Sequence, residues 1–99
     1  MEIYHDGSNS YISDVGTGNL NIQADNLLLK RADGSQTYLQ ALTGSSVSLY
    51  HSGARKLETK STGINISGVL EYADNTAAIA GGLTTGDVYR TGDLLKIVH

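Results

Sequence analysis

The chain predicts a mostly β protein: a rod of short strands closed at its C-terminal end by a cap with one short helix. Three observations carry this. First, a phrase repeats. Asp6-Gly7-Ser8-Asn9-Ser10-Tyr11-Ile12 returns as Asp33-Gly34-Ser35-Gln36-Thr37-Tyr38-Leu39. A looser echo of Ile3-Tyr4-His5-Asp6-Gly7 follows at Leu49-Tyr50-His51-Ser52-Gly53. Self-similarity of this kind marks repeat architectures, in which one unit cannot bury its own apolar face. Second, alternating segments are separated by turn signals about every 8–12 residues, the spacing of an all-β fold. Third, the 99 residues include no Phe, no Trp and one Met, with 12 Gly. A core must come from Ile, Leu, Val, Ala and six Tyr, which leaves it thin.

The elements follow in order. Ile3-Tyr4-His5 is a strand that runs into a turn at Asp6-Gly7-Ser8-Asn9, where Gly supplies positive φ and Asp bonds the local backbone. Tyr11-Ile12 starts the next strand, and Asp14 to Gly18 turns again. Leu20-Asn21-Ile22-Gln23-Ala24 alternates without a fault and predicts a half-buried strand. Further strands are expected at Leu27–Lys30, Thr37–Leu42, Val47–His51, Lys56–Lys60 and Ile64–Ile66, with turns at Asp33-Gly34, Thr43-Gly44, Ser52-Gly53 and Thr62-Gly63. Val47, Leu49 and His51 share a face, as do Ile64 and Ile66. Residues 1–68 thus form the repetitive rod.

Residues 69–99 change character and read as the cap. Asp74-Asn75-Thr76 caps a short helix near 75–81 through Ala77-Ala78-Ile79-Ala80, and Gly81-Gly82 stops it. Val88-Tyr89-Arg90, the turn Thr91-Gly92-Asp93 and a strand from Leu94 to Val98 close the chain. A repeat array needs such a piece to cover its open end.

Composition also excludes. With no Cys, disulfides and the common Cys-rich zinc sites are impossible. Oligomerisation is the remaining remedy for a thin core. Net charge is −3, so there is no electrostatic footprint for nucleic acid. The longest strongly apolar run, Leu27-Leu28-Leu29, is far short of a membrane span. No membrane insertion and no secretory leader are expected.

Three stretches resemble the tail-fibre and virion structural proteins of tailed bacteriophages, marine phages in particular. They are Ile3 to Ile12, Leu49 to Thr59 with Ser61-Thr62-Gly63-Ile64, and the ending Ala77 to Val98. The ending is the sharpest: Ala80-Gly81-Gly82-Leu83, then Gly86-Asp87-Val88-Tyr89-Arg90-Thr91-Gly92 and Leu95-Lys96-Ile97-Val98. The resemblance implies an intertwined, parallel homotrimeric rod of β-helix or β-prism type, in which each β-face is completed by the other two chains. It implies a location in the virion after synthesis in the host cytoplasm. The partners it implies are other fibre or baseplate proteins and a host-surface glycan or protein. The function expected is that of a stiff spacer or tip. The alternatives are a glycan-binding or glycan-cleaving tailspike module and a capsid decoration or head-fibre protein.

Candidate sites are few. His5 and His51 occupy equivalent repeat positions. On a trimer axis each would form a ring of three imidazoles, a candidate metal or anion site, against the simpler role of a packed or rim histidine. His99 is terminal and expected to fray. Asp6, Asp33 and Asp87 sit beside Gly in turns, and Asp6-Gly7-Ser8-Asn9 holds too few carboxylates for a calcium loop. Glu58 and Glu71 are isolated, and no Gly-x-Ser-x-Gly elbow is present. No catalytic activity and no cofactor are expected. Tyr11 and Tyr38 are equivalent in the repeat and read as packing residues. Tyr72 and Tyr89 in the cap are the candidates for contact with a glycan or protein partner.

Overall fold

A computed structural model describes all residues, 1–99. The chain is mostly β: nine strands in three antiparallel sheets, none closed, and one short helix. Strands β1 (Glu2–His5) and β2 (Ser10–Ser13) form an isolated hairpin. Strands β3 (Asn26–Lys30), β4 (Thr37–Leu42), β5 (Val47–His51), β6 (Ala54–Lys60) and β7 (Gly63–Ile66) form one five-stranded meander in chain order. Helix α1 (Asn75–Ala80) and the hairpin of β8 (Val88–Thr91) and β9 (Leu94–Ile97) make the C-terminal unit.

Alternation places these strands well, with one exception. Residues 19–24 form no strand, although Leu20 to Ala24 alternate. Alternation specifies faces but supplies no partner for the backbone, and this segment has no neighbour to pair with. Ile22 and Leu20 stay exposed.

Register gives the meander two unlike faces. Leu29, Leu39, Leu49, Leu57 and Ile66 are consecutive cross-strand partners from β3 to β7. Two positions along, Leu27 faces Ala41, Ala41 faces Val47, and Thr59 faces Ile64. The Val47 amide donates to Thr59 Oγ1 at 2.9 Å, joining these pairs into a second row. Cross-strand partners share a face, so one face is mainly aliphatic, with Thr59 within it and Thr37 and His51 at its margin. The other carries Leu28, Gln40, Ser48, Glu58 and Asn65, likewise in register.

The polar face makes contacts of its own. Ser48 is fully buried there, flanked across the ladder by Gln40 and Glu58. Arg55 Nη1 meets Glu58 Oε2 at 2.5 Å. Hydrogen bonding to Tyr50, its cross-strand partner, and the charge of Glu58 both raise the pKa of Arg55. At one corner of the apolar face Ile22 and Ala24 line a hollow with Leu27 and Ala41, and elsewhere the face lies largely open. Leu29, Val47, Leu49, Ile64 and Ile66 are all exposed.

The hairpin from β5 to β6 turns in two residues, Ser52 and Gly53, with φ of 49° and 83°. Both lie in the left-handed region that a tight hairpin of this twist demands. Ser52 is the one non-glycine residue with positive φ.

The C-terminal unit is built differently. Asp74 caps α1, its carboxylate accepting from the Ala77 amide at 2.8 Å. The helix ends at Gly81, with Gly82 at φ 102°. The Gly82 amide donates to the Ile79 carbonyl and the Leu83 amide to the Ala78 carbonyl, the paired bonds of a Schellman stop. Ala78, Tyr89 and Val98 are buried together, with Tyr72 and Leu83 packed on them. The C-terminus is held rather than frayed. Asn75 and His99 exchange two hydrogen bonds, Nδ2 to the His99 carbonyl at 2.8 Å and the His99 amide to Oδ1 at 2.9 Å.

Candidate functional site

The two histidines lie on different sheets. His5 ends β1, and its Nδ1 sits 3.0 Å from Ser10 Oγ. His51 ends β5, on the face of Val47 and Leu49. Both are exposed. Each is followed by a turn, four residues after His5 and two after His51, so the repeat keeps the position and changes the loop. Within one chain, no group of three or more His, Asp or Glu converges.

The cap tyrosines pack on one another. Tyr89 is 2% exposed and forms the centre of the cap core with Ala78 and Val98. Its ring has no surface to offer. Tyr72 is half-buried and meets Tyr89 edge to face at a centroid distance of 6.4 Å. The Tyr72 carbonyl accepts from Thr91 Oγ1 at 2.7 Å, and its amide donates to the Arg90 carbonyl. Both residues hold the cap together.

The exposed aromatic pair lies elsewhere. Tyr4 and Tyr11 are cross-strand partners in the first hairpin and stack with centroids 4.8 Å apart, their planes 21° from parallel. They are 45% and 37% exposed. Tyr11 Oη donates to Asp6 Oδ2 at 3.0 Å. Asp6 Oδ1 accepts from the amides of Asn9 and Ser8 at 2.7 and 2.9 Å. These bonds, that from Asn9 first, hold the Asp6 carboxyl below its ordinary value. The repeat keeps the device at Asp33, whose pKa is lowered chiefly by the Ser35 hydroxyl and then by the Ser35 amide. Turn chemistry thus accounts for both aspartates, as their neighbouring glycines predict. Alternation across a short turn is the signal for the tyrosine pair, since it puts Tyr4 opposite Tyr11.

An open polar cleft of about 510 Å³ lies between the β4–β5 turn at Gly44-Ser45-Ser46 and residues 58–62. Its wall is Ser, Thr, Gly, Glu58 and Lys60, without an apolar side chain. It offers hydrogen bonds in plenty and no dry surface for a small ligand to bury.

The aliphatic face of the meander adds five exposed side chains in register, Leu29, Val47, Leu49, Ile64 and Ile66. No family model, curated protein or solved structure matches the chain.

Proposed function

We propose that the chain is a structural module of a phage virion fibre that works as a homotrimer, a stiff rod or tip made of β-rich repeats. The resemblance of Ile3–Ile12, Leu49–Ile64 and Ala77–Val98 supplies the virion setting. One observation of the fold carries the oligomeric part. Only four of the 99 residues are buried. The radius of gyration is 18.6 Å, against about 13 Å for a compact domain of this length. A chain so open does not hold its shape by its own core. Copies that complete one another's faces would supply what the single chain lacks. On this reading 1–68 is the rod and 69–99 the piece that closes its end. A ring of three His5 or three His51 imidazoles belongs to the same proposal and needs three chains to exist.

The test is solution mass by light scattering, with melting followed over dilution. The expected result is a mass near three times 10.5 kDa and a melting temperature that falls on dilution. A mass of 10.5 kDa at every concentration overturns the trimer.

A second reading, glycan binding at the host surface, draws on the exposed Tyr4–Tyr11 stack. Sugar rings pack on aromatic faces, and the Asp6 turn fixes this pair in place. Loss of binding to host-surface glycan in Tyr4→Ala and Tyr11→Ala variants is the expected outcome. Unchanged binding in both removes the reading.

A further inference from the structure

We infer that the aliphatic face of the five-stranded meander is the surface on which further copies of this chain dock, and that the row Leu29, Leu39, Leu49, Leu57 and Ile66 forms the centre of that contact. The inference rests on the self-association part of the trimeric-fibre reading and on none of its virion content.

Surface area is the first ground. The chain exposes 7526 Å². A compact monomer of its mass would expose about 5,400 Å². The surplus of roughly 2,000 Å² per chain exceeds the ~800 Å² that one partner contributes to a standard interface. It is room for two such contacts, as a closed ring of copies requires.

The two faces of the meander differ in chemistry. The polar face of the meander buries Ser48 and pairs Arg55 with Glu58. Between its ends the opposite face carries one hydroxyl, on Thr59, whose oxygen already accepts from the Val47 amide, while Thr37 and His51 stand at the strand ends that bound it. Five aligned strands present two adjoining rows of aliphatic side chains to water. Contiguous apolar surface of this extent marks an interaction site.

The chemistry of the face selects the occupant. A nucleic acid or a charged protein surface would find no counter-charge on it. A second copy of the same face is mainly aliphatic, and two such sheets pack about 10 Å apart with side chains interdigitated. The sheet edge agrees. Strand β7, Gly-Ile-Asn-Ile, ends the meander without a proline or a charge, the usual guards of an exposed edge. Guards are dispensable when other copies cover the edge.

The test uses a matched pair. Leu49 and Leu28 are almost equally exposed, at 44% and 39%, on opposite faces of the same sheet. The chain has no cysteine, so Leu49→Cys and Leu28→Cys each carry one thiol. Their reaction with a water-soluble maleimide is timed in the full chain, together with the mass of each variant. In a lone chain the two thiols react at similar rates. In the docked arrangement the thiol from Leu49→Cys reacts roughly tenfold more slowly than that from Leu28→Cys, and dilution below the dissociation range removes the difference. Equal rates at high concentration, or protection of Leu28→Cys instead, overturn the inference. If a cysteine variant fails to assemble, Leu49→Glu and Leu28→Glu decide between the two faces by mass. The first is expected to fall to 10.5 kDa and the second to keep the wild-type mass. Loss of mass by Leu28→Glu alone overturns the inference. Protection at Leu49→Cys in a two-chain particle would keep this inference and discard the trimer. A three-chain particle protected at Leu28→Cys would do the reverse.

Discussion

The cap and the meander draw on similar residues and use them in opposite ways. The cap, residues 69–99, folds three kinds of segment on one point. Its helix contributes Ala78, its hairpin Tyr89 and its last residues Val98, and all three are buried. The meander has more strands and more leucine, yet its single buried residue is Ser48 on the polar side. The difference is layering. A helix crossing a hairpin makes two layers, and two layers enclose a core. One sheet makes a single layer, and a single layer leaves one face uncovered whatever its composition.

The largest expected effect falls where the core is smallest. Tyr89→Ala removes the only large side chain buried in the cap, and by the usual cost of an aromatic truncation it destabilises by about 3–5 kcal/mol. The same ring is the edge-to-face partner of Tyr72, so near-ultraviolet circular dichroism of the tyrosines should collapse together with the melting temperature. Unchanged dichroism and melting would mean that the cap is not an independent core. Leu49→Ala sharpens the contrast. In a lone chain it trims a side chain that is already 44% exposed and costs less than about 1 kcal/mol. In an assembly that covers the face it costs about 2–5 kcal/mol. Chemical denaturation at two protein concentrations separates the cases.

The strands, the turns and the short helix are legible in the sequence, and the fate of the faces is not. Leu27–Lys30, Val47–His51 and Ile64–Ile66 are readable because apolar residues of β-propensity lie between glycine turns. The helix is readable from both ends, Asp74 and Gly81-Gly82. What fails is everything that depends on a partner. Leu20–Ala24 alternates as well as any strand and pairs with nothing. The burial of Tyr89 does not show in the sequence, because nothing local links it to Ala78 and Val98. Gly81 holds one further clue. The Schellman stop needs glycine only at Gly82, while a Cβ on Gly81 would overlap the Tyr72 ring. The cross-strand rows depend on register, and two β-bulges, at Leu29/Lys30 and Leu49/Tyr50, shift that register in ways the pattern does not announce.

The next effects test the cap's helix from its ends. Gly82→Val forces a β-branched residue to φ 102° and loses about 1–2 kcal/mol. Asp74→Ala removes the acceptor for the Ala77 amide and loses about 1 kcal/mol. Both should lower the melting of the cap and leave maleimide labelling at the meander face unchanged. If either alters that labelling as strongly as it alters the melting, then cap and meander are one cooperative unit and the division at residue 69 fails.

The smallest expected effect concerns the first hairpin, which has neither a core nor a covered face. Two strands alone are marginal in water, so the Asp6 turn and the Tyr4–Tyr11 stack carry it. The folded turn lowers the Asp6 pKa through the Asn9 and Ser8 amides and the Tyr11 hydroxyl. A carboxyl whose folded pKa lies below its unfolded one stabilises the fold above the unfolded value, and the benefit is lost as pH falls through the folded value. The Asn9 and Ser8 amide resonances should therefore move toward their unstructured positions in acid, below the ordinary carboxylate range, while those of the cap core stay in place. Asp6→Asn should flatten that pH response, because a neutral amide still accepts the two bonds but no longer titrates. Amides that hold their positions through the acid range would show that the stacked rings, and not the carboxylate, set the turn. That outcome would make the hairpin a small counterpart of the cap, held by aromatic packing, and no longer the weakest of the chain's three sheets.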